Sequence, residues 1–121
     1  MNKKQLDELN DNLLQEIRRG VVVLAALSQL HEPRYGYSLI DELAQRGLAI
    51  DQGTLYPLLR RLEEQGLLES SWNVEGARPR RYYALNPAGG QLLASLTLEW
   101  RQLTAIMQSI LEKDESHEKQ Q

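Results

Sequence analysis

The stretch DQGTLYPLLRRLEEQG, residues 51–66, decides how the rest of the chain is read. Leu55, Leu58, Leu59 and Leu62 recur at i, i+3, i+4 and i+7, the apolar stripe of an amphipathic helix. Asp51 stands where an N-cap carboxylate takes a free backbone N–H, and Gly66 where a left-handed C-cap ends the helix. The spacing turns Gln52, Gly53, Tyr56, Pro57, Arg60 and Arg61 outward. A merely solvated face carries Glu and Lys, and here Glu63 and Glu64 come only near the far end. An amide, a phenol and two guanidiniums beside a helix start suit base edges and phosphates. An ordinary surface helix has the same period, so the neighbouring elements must decide.

Upstream, residues 5–19 have helical spacing, with Leu6, Leu9, Leu13 and Ile17 on one side and charges of both signs elsewhere. That stripe needs a partner, either the body of the domain or a second subunit. Gly20 marks a boundary or a close packing point within a longer helix. VVVLAALSQL, residues 21–30, is apolar almost all round and predicts a buried central helix; its length and alanines favour this over a buried strand. Glu32-Pro33-Arg34 breaks the pattern. YGYSLIDELAQRG follows, with Leu39, Ile40, Leu43 and Ala44 on one face and Gly47 as its C-cap. Leu48-Ala49-Ile50 is a turn or a small edge strand.

Downstream the period changes. Residues 67–72 read as a strand and residues 80–85, RRYYAL, as a second one rich in aromatics. Residues 73–79 form the hairpin loop between them. Asn86-Pro87 then starts a helix, with Asn as N-cap and Pro at the first helical position. Helices, a two-stranded hairpin and a further helix, in that order, define a winged helix-turn-helix: mainly α with a small β-hairpin.

The last helix, residues 87–113, carries Leu93, Leu96, Trp100, Leu103, Met107 and Ile110 at spacings of 3, 4, 3, 4 and 3, a heptad seam. At 1.5 Å per residue, some 25 residues of it reach roughly 37 Å, further than so small a body can cover. The expected organisation is therefore an N-terminal helix (1–19) in a dimer interface, a winged helix (20–86), a C-terminal dimerisation helix (87–113) and a charged, disordered tail (114–121). Leu92, Leu98, Ile106 and Leu111, off the seam, are placed to pack on the stripe of Leu6 to Ile17.

Composition bounds the function. The 121 residues make one domain with a small core, and the absence of cysteine removes disulfides, thiolate nucleophiles and Cys-based zinc sites, in keeping with a cytoplasmic location. No apolar run approaches a bilayer span and the N-terminus is too polar for a signal peptide. His31 and His117 are isolated, and paired acids such as Asp41-Glu42 diverge on helices, so neither a metal site nor an enzyme is expected, and no cofactor. The net charge of −3 runs against the basic footprint of nucleic-acid binders.

Together these residues resemble the PadR family of bacterial transcriptional regulators, in its short form. The resemblance rests on Tyr35-Gly36-Tyr37-Ser38-Leu39, on residues 53–63 (GTLYPLLRRLE), on Gly66-Leu67-Leu68 and on RRYYAL through Gly89. Trp100 falls where the family often has a tryptophan, and the likeness spans residues 20–110. Asn86 departs from the usual Thr, but both residues cap helices. Pro57 would by itself end the helix, at about 3 kcal/mol within one; the resemblance implies that the helix continues through it.

The resemblance implies a homodimeric, ligand-responsive DNA-binding repressor on a pseudo-palindromic site of double-stranded DNA. The paired 51–65 helices would enter major grooves about 34–36 Å apart. Gln52 suits adenine and Arg60 guanine or a phosphate, with Gly53, Thr54, Pro57 and Arg61 on the same surface. Tyr56 suits a phosphate or a thymine methyl, and Tyr37 a phosphate at the groove's rim. Arg78, Arg80 and Arg81 on the wing would lie along the backbone or the minor groove. The five arginines of residues 51–81 are offset by Asp51, Glu63, Glu64, Glu69 and Glu75, so any positive field comes from placement. Trp100 either fills space or, with its copy across a two-fold axis, sandwiches a planar aromatic effector beside Leu13, Leu93, Leu96 and Glu99. Two other uses of the same features are a protein–protein adaptor docking through the Tyr56 face and a ligand scavenger.

Overall fold

The computed structural model describes residues 1–120, with the side chains of 114 and 116–120 outside the description. In chain order the elements are α1 (Lys3–Ser28), β1 (Arg34–Tyr35), α2 (Gly36–Gln45), α3 (Gln52–Glu64), β2 (Leu68–Asn73), β3 (Arg80–Leu85) and α4 (Pro87–Gln120). The two helices expected before residue 30 are one. A capping box between Asn2 and Gln5 starts α1, and Gly20 lies inside it with open space where a side chain would be. Gly20 is therefore neither a boundary nor a packing point in this chain. A single interior glycine costs a helix only about 1 kcal/mol, less than two helical flanks contribute.

The winged helix forms around leucines. Leu27, Leu30, Leu39, Leu55 and Leu59 are fully buried, joined by Val22, Ala26, Leu43, Leu58, Leu62, Leu68, Tyr83 and Leu93. All four leucines of the α3 stripe are buried, and Asp51 accepts from the Thr54 N–H at 2.8 Å as its N-cap. Gly47 and Gly66 both take positive φ, 98° and 84°. Each closes a Schellman motif: Leu48 N–H donates to Leu43 O at 2.8 Å, and Leu67 N–H to Leu62 O at 3.0 Å. These two stops set the lengths of α2 and α3.

The sheet has a third strand that the sequence does not announce. The order is β1-β3-β2, with Arg34 opposite Tyr83 and Tyr35 opposite Tyr82, and with Leu68 opposite Leu85 through Asn73 opposite Arg80. β1 is two residues long, too short for any period to register. Residues 48–50 form no strand. Asn86 does more than cap: its Oδ1 accepts from Gly89 N–H at 2.8 Å while its Nδ2 donates to Gly66 O at 2.7 Å. One amide thus ties the start of α4 to the end of α3. Gly89 is required there, since a side chain would collide with the Leu67 carbonyl.

α4 runs past residue 113 to Gln120, through most of the segment expected to be a disordered tail; residue 121 lies outside the described residues. Neither Gly nor Pro follows Gly90, and Glu, Lys and Gln are good helix formers, so nothing local stops the helix. Its 34 residues reach about 51 Å.

Candidate nucleic-acid interface

From Gln52 to Arg61 the solvent-exposed face of α3 carries no acid, and exposed Glu64 follows only at its last residue. Gln52, Gly53, Thr54, Pro57, Arg60 and Arg61 are all exposed. Pro57 lies inside the unbroken helix, and it has no N–H to give to the carbonyl four residues back, that of Gly53. Asp51 keeps its charge readily: the Thr54 hydroxyl and then the Thr54 N–H hold its carboxyl below the usual aspartate range.

Tyr56 departs from the expected outward position. Its ring is half-buried, packs on the core and lies against Gly36, where any side chain would run into it. The glycine of Tyr35-Gly36-Tyr37 and the tyrosine of α3 are thus one contact between α2 and α3. Tyr37 is 60% exposed. It stacks on Tyr35 (centroids 6.4 Å apart, planes 15° apart), which meets Tyr82 at 5.6 Å. Arg80 lies 4.6 Å over the Tyr35 ring, a cation–π contact that orients the guanidinium while leaving it solvated. Tyr35 and Tyr82 are contributors that the sequence singled out only as strand or motif residues.

The two adjacent wing arginines do different things. Arg80 is exposed; Arg81, expected on the DNA side, turns to α3. Its Nη2 lies 2.6 Å from Glu63 Oε1, and it donates to Ser70 Oγ at 3.0 Å. The Ser70 hydroxyl donates to the other Glu63 oxygen. Arg81 also lies over Tyr83, at 5.4 Å, and Trp72, at 5.8 Å. Burial pushes the Tyr83 phenol up, with Arg81 opposing. Successive strand residues face opposite ways, so one of the pair had to turn inward; Glu63 neutralises it there and so is not a simple solvated acid. Arg78 is exposed in the wing loop. Trp72 is 62% exposed on β2. With Tyr35, Tyr37, Tyr56, Arg60, Arg80 and Arg81 it borders a concavity of about 360 Å³ between α3 and the wing, so Arg81, though paired with Glu63, still lines this surface. An aromatic-lined hollow rimmed by guanidiniums suits a sugar-phosphate strand.

The expected dimer seam divides in two. Leu93 is buried in its own core and Leu96 packs partly against it, so these two are used within the chain. Trp100, Leu103, Met107 and Ile110 are exposed, as are Leu6, Leu9, Leu13 and Ile17 on α1. Leu98, Ile106 and Leu111 are exposed too, so a single chain leaves them, like the α1 stripe, uncovered. Glu99 is exposed beside Trp100. Among the described residues no cluster of three metal-ligating side chains occurs, and no helix is long and apolar enough to cross a membrane.

The fold defines a winged-helix protein. The sequence profile described as "Transcriptional regulator PadR-like family" matches residues 23–95, and the chain belongs to that family. It is 37% identical over 99 residues to the transcriptional regulator Rv3488 of Mycobacterium tuberculosis, covering 81% of this chain and 90% of that one. It is similar in structure to a PadR family transcriptional regulator from Eggerthella lenta: TM-score 0.81, 42% identity, 90% of this chain and 97% of the other. A PadR-like transcription factor from Bacteroides fragilis aligns at TM-score 0.70 and 34% identity, over 82% and 98%. The chain is a transcriptional regulator, not an enzyme, of a family whose members bind DNA and are typically dimeric.

Proposed function

We propose that two copies pair through α4 and the N-terminal part of α1 and repress transcription by occupying a pseudo-palindromic operator in the cytoplasm. The acid-free face of α3 from Gln52 to Arg61, bordered by Tyr37 and Arg80, carries this reading. Gln52 offers a bidentate amide to adenine, and Arg60 a guanidinium to guanine or to phosphate. Tyr37, Arg78 and Arg80 hold the backbone on either side, while Arg81 holds the wing against α3. Tyr56 contributes through its ring edge at the hollow, not as a free probe. A small planar effector between the two Trp100 side chains, with Glu99, Leu13 and Leu96 near it, would shift the pairing of the long helices and hence the spacing of the α3 pair.

A footprint of the protein on the DNA upstream of its own gene tests the reading. Two protected half-sites about one helical turn apart are expected. No protection even at low salt would sink it and favour a protein–protein adaptor.

A further inference from the structure

A second concavity flanks α3 on the side away from the wing. It is a cleft of about 700 Å³ between α1, the segment 49–51 and α3. Val22, Val23, Ile50, Pro57 and Leu58 give it an aliphatic floor, and Arg18, Arg19 and Arg61 stand around it. Asp51 is the single acid among the described lining residues, and its carboxylate is engaged with Thr54 N–H. None of the three arginines forms an ion pair among the described residues. Arg18 Nη2 donates to the Ala49 carbonyl at 2.8 Å, which aims the guanidinium without neutralising it.

Three guanidiniums and one engaged carboxylate leave the cleft an excess of positive charge, which an anion neutralises through charge-assisted hydrogen bonds. A DNA phosphate would account for the charge but not for five aliphatic side chains beneath it. The geometry points to a binding site, lined by residues of a single chain, for a small organic anion with an apolar body. The head group meets Arg18, Arg19 and Arg61, and the body lies on Val22, Val23 and Ile50. The space beside Trp100 needs a partner's residues; this cleft does not. Thr54, Pro57 and Arg61 line one face of α3, so an occupant bridges α1 to the recognition helix. It draws Arg61 away from phosphate, and by linkage operator and anion weaken each other equally. Only that coupling rests on the operator reading; occupancy of the cleft does not.

The full-length chain, methyl-labelled and free of DNA, is titrated with octanoate and followed by NMR. Saturable shifts of the Val22, Val23, Ile50 and Leu58 methyls are expected, with the Trp100 indole N–H unmoved and with no such shifts from octylammonium. The double variant Arg18→Gln, Arg19→Gln should weaken octanoate by about tenfold or more. Val23→Phe, which fills the floor without touching a charge, should give a similar loss and serves if the double variant does not fold. Equal shifts with octylammonium, shifts centred on Trp100, or still cleft methyls at millimolar octanoate would each overturn the site. With no DNA present, such a failure leaves the operator reading standing; a good titration without a footprint sinks only the latter.

Discussion

The winged helix and the long helical arms are finished to different degrees by a single chain. In the first, every leucine of the α3 stripe is buried and no buried polar side-chain atom among the described residues lacks a partner. In the second, Leu6, Leu9, Leu13 and Ile17 of α1 and Trp100, Leu103, Met107 and Ile110 of α4 remain exposed. Burying a large apolar side chain contributes about 1.5–3 kcal/mol, so eight such residues are a strong drive to association. On the proposed pairing, one sequence encodes a winged helix whose core a single chain closes and an arm that a second copy completes. Stability of the arm should depend on concentration, and that of the head much less.

The largest effect should come from breaking the arm alone. Met107→Glu places a charge in the seam, and dimer dissociation should rise by a thousandfold or more, about 4 kcal/mol. Sedimentation should then show monomers with near-native sheet and α2–α3 signals; a dimer of unchanged affinity would remove the distinction between the two regions. Next, Arg60→Ala should cost about 1–3 kcal/mol of operator binding and relax the preference at one base, with dimerisation untouched. Arg78→Gln should instead lower affinity on all sequences and reduce the salt slope by about one.

Gly36→Ala tests the packing within the head. The new methyl meets the Tyr56 ring, and overpacking of this kind typically costs about 1–3 kcal/mol; an unaltered melting temperature would mean that the ring moves freely. Glu63→Gln is smaller. The Arg81 and Glu63 side chains are 36% and 27% exposed, so screening holds the loss to about 1 kcal/mol or less. Its clearer readout is faster exchange of the β2–β3 amides.

Asp51 should give the smallest effect, visible only on the acid limb. Its folded pKa lies below the usual aspartate value because of Thr54. The stabilisation is therefore fully present above the unfolded value, about 3.9, and is lost as pH falls through the lower folded value. Comparison of acid unfolding between the native chain and Asp51→Asn should show that limb flattened in the variant.

How much could be read beforehand differs between the regions for a physical reason. Asp51, Gly47 and Gly66 act within a few residues of themselves, as does the cap that Asn86 makes on Gly89, so the limits of α2, α3 and the start of α4 were legible; the Asn86 bond to Gly66, twenty residues away, was not. β1 was not, because its two residues are held only by pairing with Tyr82 and Tyr83. Trp72 passed as an ordinary strand residue, and nothing in its neighbours signalled its exposure beside α3. Leu93 and Trp100 obey the same heptad, yet the first is spent on the chain's own core and the second is free.

The sequence by itself determined the order of helices and strands, the caps that limit them, and the polar character of the α3 face, since periodicity and capping are local. Only the tertiary structure decided that Arg81 turns to Glu63 while Arg80 stays out, that Tyr56 rests on Gly36, and that α1 and α3 enclose a cationic cleft. Those outcomes depend on distant segments meeting, and a side chain's local spacing cannot say which neighbour reaches it first.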